Sequence, residues 1–215
     1  MFYPIHWLCL NQTFNNLIAQ AGQMVNSGVP NDTIKSLNPI SGIVLTPLVQ
    51  RGLYPFLRRR RIHFGPISRI AVGFALIAAS MAYAAGLQQL IYNTRPCYSH
   101  PLACAASNNG RIPNQLSMFL QTPIYVLGGL AEVFCLTTGT EYAYNQAPRS
   151  MKSVVQAFWL GMAGVGACVA IAFTPAAKDP NLVIMYACLA AVMGVTTVVF
   201  WVVFRENDKK KMEML

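Results

Sequence analysis

Long apolar stretches, interrupted by Pro, Gly, Asn and Arg, dominate this sequence of 215 residues. A helix needs about 20 consecutive apolar residues to cross the hydrocarbon core of a bilayer, and the sequence has room for six such segments. Only 11% of its residues are charged, against roughly a quarter in a soluble domain. We therefore expect an all-α, polytopic membrane protein with six transmembrane helices. The predicted spans are residues 3–24, 37–57, 67–92, 119–142, 153–174 and 182–204, followed by a short basic tail, 205–215.

Basic residues are concentrated in alternate connections between the predicted spans. Of the 16 Lys and Arg residues, twelve fall on one side of the predicted membrane and four on the other. Cytoplasmic loops carry the excess of Lys and Arg, so we expect the richer side, with both termini, to be cytoplasmic. The twelve are Arg51, Arg58, Arg59, Arg60, Arg61, Arg69, Arg149, Lys152, Arg205, Lys209, Lys210 and Lys211, and the four are Lys35, Arg95, Arg111 and Lys178.

The net charge of +9 is therefore interpreted as a topology signal, and no nucleic-acid partner is expected. The run from Arg58 to Arg61 has two interpretations. It is either a topology determinant, which is the commoner role, or a contact for anionic lipid headgroups, worth about 1 kcal/mol per charge.

Two of the six cysteines lie in the longest outer loop, residues 93–118. If the membrane is the cell surface, this loop faces an oxidising compartment, and a disulfide between Cys97 and Cys104 is one of two open alternatives. The remaining cysteines are scattered singly through predicted spans and are expected to be small core residues. They are Cys9, Cys135, Cys168 and Cys188.

Two acidic residues fall within a predicted span, Glu132 near its middle and Glu141 near its cytoplasmic end. Nine positions correspond to about 900° of an α-helix, so the two carboxylates are expected on opposite faces, which excludes a paired-carboxylate site. A carboxylate at the bilayer centre costs at least about 2.5 kcal/mol unless it meets water, a cation or a proton. Glu132 is therefore a candidate ligand or proton site, with a structural hydrogen bond between helices as the alternative.

Three further positions stand out at the ends of predicted spans. Asn38 and Pro39 lie at the start of the second span. These residues are either a simple N-cap and first helical residue, or a position where backbone carbonyls and the Asn38 amide remain available to a ligand. Trp7 and Trp159 lie inside the cytoplasmic ends of their spans, where tryptophan usually belongs to the interfacial belt. Trp159 lies deeper beside a glycine-rich stripe, so a pocket role is the alternative.

Features of enzymes are missing from the sequence. His6, His63 and His100 lie in separate segments, and no nucleophile elbow, P-loop or G-x-G-x-x-G pattern occurs. We therefore expect no enzymatic activity, no metal site and no bound cofactor. The first span is polar, with Asn11 among several amides, and is expected to face protein or a water-filled path instead of lipid.

Longer motifs surround Glu132, and they resemble a known family. Residues 131–134 read AEVF, residues 139–148 read GTEYAYNQAP, and residues 150–157 read SMKSVVQA. This series closely resembles the tenth and eleventh helices of the proton-coupled oligopeptide transporters of the major facilitator superfamily. SLNP at 36–39 resembles the start of the family's eighth helix, and WLCLNQ at 7–12 with QAGQM at 20–24 resembles the seventh, particularly in fungal members.

The resemblance implies a role for each candidate residue. Glu132 matches a glutamate that binds the amino terminus of the peptide, Asn38 an asparagine that contacts its backbone, and Trp7 and Trp159 tryptophans that line the cavity. Asn11 stands where some members have an aspartate, and Leu136 where serine is common, so side-chain contacts and proton linkage are expected to differ.

The resemblance also implies a fold and a function. It covers the second six-helix half of a major facilitator fold, so we expect the C-terminal bundle of a di- and tripeptide:proton symporter in the plasma membrane, driven by the proton gradient. Its partners would be peptides, protons, lipid and an N-terminal six-helix half that has no counterpart here. The competing hypothesis is a truncated fragment or partner subunit that transports nothing alone.

Overall fold

The computed structural model describes residues 2–26, 28, 30–60, 64–102, 104, 107–108 and 112–213, and these are mostly helical, as expected. Arg61, His63 and Arg111 lie outside the described residues. Two short strands, β1 (Met24–Val25) and β2 (Asn114–Ser117), pair in parallel and were not predicted. The helices are α1 (Tyr3–Phe14), α2 (Asn16–Gly22), α3 (Leu37–Leu48), α4 (Tyr54–Arg59), α5 (Pro66–Tyr92), α6 (Thr122–Glu132), α7 (Thr138–Gln146), α8 (Lys152–Phe173) and α9 (Leu182–Glu213).

Four helical stretches of the described chain are long and apolar enough to cross a membrane. They are Pro66–Tyr92, Met118–Gln146, Arg149–Phe173 and Leu182–Glu206, and they overlap the last four predicted spans. The first two predicted spans are not among them. The break at Asn15 leaves α1 with 12 residues and α2 with 7, and the α3 to α4 segment contains Pro47, Gln50 and Arg51, which lower its hydropathy. The count of six spans therefore stays a prediction. The backbone of α9 continues to Glu213, through most of the predicted tail.

Several helices are interrupted where the helical hydrogen-bond ladder is weakened. Between α1 and α2, Asn15 leaves the helical region, with φ −113° and ψ −81°. Pro47 inside α3 has no backbone donor for the preceding turn, and a π-turn, Val49–Leu53, follows it before α4. A second π-turn, Val133–Thr137, joins α6 to α7. Each π-turn changes the direction in which the following side chains project.

The centre of the bundle is α5, which packs along α9 and against α6. Its residues Phe74, Ile77 and Met81 are fully buried. By contrast, α8 contacts mainly α1, and only 11% of its most apolar stretch is buried within the protein, against 56% for α5. One face of the bundle, along α8, is thus left uncovered by the described chain.

The cysteines divide into a disulfide and four free thiols. Cys97 and Cys104 form the disulfide that the sequence left open, with their Cα atoms 5.5 Å apart. Cys9 and Cys135 are buried as expected, but Cys168 and Cys188 are exposed. The prediction of a core position was wrong for these last two, because α8 and α9 each turn an apolar face outward.

The loop that holds the disulfide is tied to the end of the bundle. Asn114 in β2 pairs with Met24 in β1. Its side chain donates to the backbone oxygen of Ile91 at 2.8 Å and accepts from the backbone N–H of Cys97 at 3.2 Å. One buried asparagine therefore joins the end of α5, the disulfide loop and the strand pair.

Candidate functional site

Asn38 and Glu132 meet where α3 crosses α6. The Nδ2 atom of Asn38 donates to Oε1 of Glu132 at 2.6 Å, a distance typical of a charge-assisted hydrogen bond. Asn38 is 5% exposed and Glu132 is half-buried. Oδ1 of Asn38 is buried against Gly128 without a hydrogen-bond partner, so the acceptor that the pair offers to a ligand is the half-buried carboxylate of Glu132. A carboxylate held by a neighbouring amide suits a cation that carries N–H donors.

Close packing of two glycines brings this pair together. A Cβ atom added at Gly129 would lie 2.1 Å from Oγ of Ser41 and 2.9 Å from the backbone oxygen of Asn38, and one added at Gly128 would lie 3.0 Å from Oδ1 of Asn38. Any larger residue at Gly129 would push α3 away from α6. Small residues at helix contacts are common in membrane bundles, and here they determine the position of the asparagine.

The π-turn that begins directly after Glu132 corrects the expectation for Glu141. A π-turn adds one residue to a helical turn, so nine positions advance the helix by about 800° instead of about 900°. The two carboxylates are then about 80° apart around the axis, and the prediction of opposite faces was wrong. The pattern of apolar residues carries no sign of the inserted residue, which is why the sequence missed it.

Two open cavities adjoin along this helix. The first, of about 340 Å³, lies beside Glu132 and Asn38. The second, of about 600 Å³, is lined by Glu141, Thr140, Tyr144 and Gln156. Both have Leu136 and Thr137 in their walls. The groove formed by the two cavities, which we call the α6–α7 groove, therefore has one carboxylate in each part.

The other predicted site residues lie where α1 meets α8 and line neither cavity. Trp7 packs against Gly166, since a Cβ atom added there would lie 2.5 Å from Cβ of Trp7. Its indole Nε1 is buried without a hydrogen-bond partner. Asn11 donates through Nδ2 to the backbone oxygen of Trp7 at 2.8 Å, within α1, so its amide serves the helix itself.

Trp159 is linked to the back of the groove through Tyr3, a residue that no sequence motif singled out. The rings of Tyr3 and Trp159 are 4.0 Å apart between centroids, and both lie against Gly139 on α7. The Tyr3 hydroxyl donates to the backbone oxygen of Cys135 at 3.2 Å, inside the π-turn. The structure thus brings Asn38 to Glu132 and Trp159 to the neighbouring helix, but holds Trp7 and Asn11 apart from them.

Comparison with known proteins gives the family. The model of the POT family, PTR2, matches residues 1–191. The chain belongs to the POT family. The peptide transporter imqD of Aspergillus flavus is 49% identical to this chain over 206 residues. These residues are 96% of this chain and 51% of that protein. Another relative is the probable peptide transporter ptr2 of Schizosaccharomyces pombe, 40% identical over 208 residues, covering 97% of this chain and 33% of that protein.

A solved structure supports the fold of this POT family member. The crystal structure of the POT family transporter PepTSo superposes with a TM-score of 0.77 at 22% identity, covering 97% of this chain and 40% of that chain. The chain thus spans about half the length of the Aspergillus relative and less of the others. Membership in a transporter family, together with apolar helices long enough to cross a bilayer, makes it an integral membrane protein.

Proposed function

We propose that this chain is the C-terminal half of a proton-coupled peptide symporter and contributes one wall of the peptide-binding cavity. The observation that carries the proposal is the Asn38–Glu132 pair beside the open groove. Glu132 would bind the peptide ammonium, and Asn38, whose amide holds the Glu132 carboxylate, would contact the peptide backbone. The proposed substrates are di- and tripeptides; the relatives' names support peptides as the substrate class.

The groove suits alternating access between two halves. In transporters built from repeats, the substrate lies near the bilayer midplane at the interface of the halves. The α6–α7 groove is open, as one wall of a shared cavity would be. Six helices of this chain would then form half of a major facilitator fold, with both termini in the cytoplasm of a plasma-membrane protein. Trp159 and Trp7 would line more distant parts of the cavity, with Asn11 beside Trp7.

Uptake by a fused protein tests the proposal. The chain is joined to the first half of the Aspergillus flavus relative and expressed in yeast without peptide uptake of its own. We expect uptake of a labelled dipeptide that rises when the external pH is lowered and stops when a protonophore is added. Glu132→Gln should weaken apparent affinity about 10- to 100-fold, because a hydrogen-bonded charge is worth about 1.5–3 kcal/mol.

The control variant is Glu206→Gln, which removes an exposed carboxylate of α9 outside both cavities. Glutamine at position 132 still has an oxygen that accepts from Asn38, so a loss of affinity would not be caused by a broken helix contact. Equal uptake by the unsubstituted, Glu132→Gln and Glu206→Gln proteins would contradict the role of Glu132.

A second candidate is a subunit or fragment that transports nothing alone. The chain covers 51% of the Aspergillus relative, so the matched segment does not include the opposite wall of the proposed cavity. This partial coverage favours the second candidate. Expression of the chain with and without the separate first half distinguishes the candidates. Uptake only when both are present supports the subunit role, and uptake by the chain alone contradicts it.

A further inference from the structure

The second part of the α6–α7 groove has the features of a binding site in its own right. Its cavity of about 600 Å³ is lined by Leu136, Thr137, Thr140, Glu141, Tyr144 and Gln156. Nε2 of Gln156 donates to the backbone oxygen of Thr140 at 3.3 Å, which holds the amide against the α7 wall. Side chains of α7 and α8 therefore share one cavity, in which Glu141 is the acidic residue.

The carboxylate of Glu141 is not neutralised by a basic side chain. Among the described residues, the ion pair present joins Nζ of Lys35 to Oδ1 of Asp32 at 2.8 Å, and Glu141 takes no part in it. Lys152 begins α8 nearby, but its Nζ lies over the ring of Tyr144, 4.0 Å from the centroid. Glu141 is exposed to the cavity, so an arriving cation would not have to displace a protein cation from it.

The spacing of Glu132 and Glu141 limits what can bind to both. With the inserted residue of the π-turn, eight helical steps at 1.5 Å separate them by about 12 Å along the helix, and they lie about 80° apart around its axis. An extended dipeptide is about 7 Å long and a tripeptide about 10 Å, at 3.3–3.6 Å per residue. A lysine or arginine side chain at the third position adds the remaining few ångströms.

We propose that Glu141 recognises the cationic side chain of the third residue in a tripeptide whose amino terminus is held by Glu132. This inference rests on the proposed function. The ammonium or guanidinium of that side chain donates to the Glu141 carboxylate, beside the oxygens of Thr140 and Tyr144. Tripeptides that end in Lys or Arg are therefore preferred over neutral ones of the same size.

Competition experiments with the fused protein test this. Inhibition of labelled dipeptide uptake is measured for Ala-Ala-Lys and for Ala-Ala-norleucine, which has a similar side chain without the ammonium. The readout is the ratio of the two inhibition constants, so it does not depend on expression level. Glu141→Gln should reduce the preference for Ala-Ala-Lys about 1.5- to five-fold, the range expected for an exposed ion pair.

Matched variants distinguish binding at Glu141 from binding at Glu132. Glu206→Gln should leave the ratio unchanged, and Glu132→Gln should weaken both tripeptides and leave their ratio near its original value. A melting-temperature assay on the purified fused protein with each tripeptide gives a second measure of the same preference.

The outcomes distinguish two kinds of failure. If Glu141→Gln leaves the preference intact, or weakens both tripeptides equally, the inference is overturned while the proposed function stands. If the unsubstituted fused protein neither transports nor binds any of these peptides, the proposed function fails and the inference fails with it. A change in the ratio confined to Glu141→Gln supports both.

Discussion

At the scale of single residues, Gly129 sets how closely α3 approaches α6. Its missing side chain leaves room for Ser41, whose hydroxyl donates to the backbone oxygen of Asn38 at 2.7 Å. The same approach aligns Asn38 with Glu132. One glycine therefore links helix packing to the geometry of the candidate peptide site.

Replacing Gly129 by Ala should both destabilise the bundle and disturb the site. The added Cβ would lie 2.1 Å from Oγ of Ser41, and overpacking of this kind costs about 1–3 kcal/mol. We expect a lower melting temperature of the purified fused protein and a weaker affinity for all peptides.

Gly161→Ala on α8 is the matched control for this variant, because a Cβ atom there would meet nothing within 4 Å. It should leave the melting temperature unchanged or slightly raised, since Ala is favoured over Gly in a helix interior by up to about 1 kcal/mol. A Gly129→Ala protein as stable and as active as Gly161→Ala would show that α3 has room to move without loss.

Part of the site could be predicted from residue chemistry alone. A carboxylate inside an apolar segment is costly unless it is paired, so the sequence by itself singles out Glu132. It does not single out the partner, because Asn38 is 94 positions away and a local cap explains that asparagine equally well. Tyr3 gave no signal, since a tyrosine near the end of a membrane helix is ordinary and its bond to Cys135 depends on tertiary packing.

At the scale of elements, a chain of buried glutamines joins α2 and α5 to the start of the α6 segment. Nε2 of Gln121 donates to Gln20 at 2.8 Å, Gln20 donates to Gln88 at 2.8 Å, and Gln88 donates to Gln23 at 2.9 Å. Gln23 donates in turn to Asp179 at 3.0 Å, in the loop before α9. Each amide is held by its neighbours, so α2, α5, the segment before α6 and the loop before α9 are held in one arrangement.

Interrupting this chain should destabilise the protein. In Gln88→Leu, the Oε1 of Gln23 loses its donor, and Nε2 of Gln20 keeps only the backbone oxygen of Ala84 at 3.2 Å. An unsatisfied buried polar group costs about 1–3 kcal/mol, and we expect the melting temperature to fall accordingly.

The next residue along α5 supplies the control. Gln89 is exposed, so Gln89→Leu changes the same chemistry at the same height in the bundle without opening the glutamine chain. Equal melting temperatures for Gln88→Leu and Gln89→Leu would mean that the buried amides contribute no net stability.

Element positions were easier to predict than element faces. Runs of apolar residues located the helices of the last four spans, because length and hydrophobicity decide whether a segment crosses a bilayer. The direction in which α7 side chains project could not be predicted. Each residue adds its rotation to that of the residues before it, so the one residue inserted in the π-turn rotates every later side chain about the helix axis. The break at Asn15 left no signal in the sequence, because asparagine is tolerated in a helix and amides recur along the whole predicted span.

At the scale of the whole molecule, the groove and α8 form an incompletely covered side. Exposed apolar residues of α8 include Phe158, Leu160 and Ile171, which suit lipid or a protein partner. The neighbouring groove exposes Thr137 and Glu141, which do not suit lipid. A partner that covers the groove should therefore stabilise the chain.

We expect the purified chain to melt at a lower temperature alone than when it is co-expressed with the first half of the Aspergillus relative. Binding to the folded state alone raises apparent stability. An unrelated six-helix membrane protein is the control partner and should have no effect. If the first half also leaves the melting temperature unchanged, this side of the chain is not a partner surface.

The bonds that tie the bundle are of different kinds at its two ends. The glutamine chain, the strand pair and Asn114 all lie at the end that carries the disulfide. At the other end, Tyr54, Phe64 and Phe134 meet through their rings, with centroids 6.0–6.4 Å apart, and the Arg69 guanidinium lies 4.1 Å from the Tyr54 ring centroid. Directional amide bonds break when the partners shift, whereas ring contacts persist through sliding. If the bundle rocks, we therefore expect it to pivot about the disulfide end and to open furthest at the aromatic end.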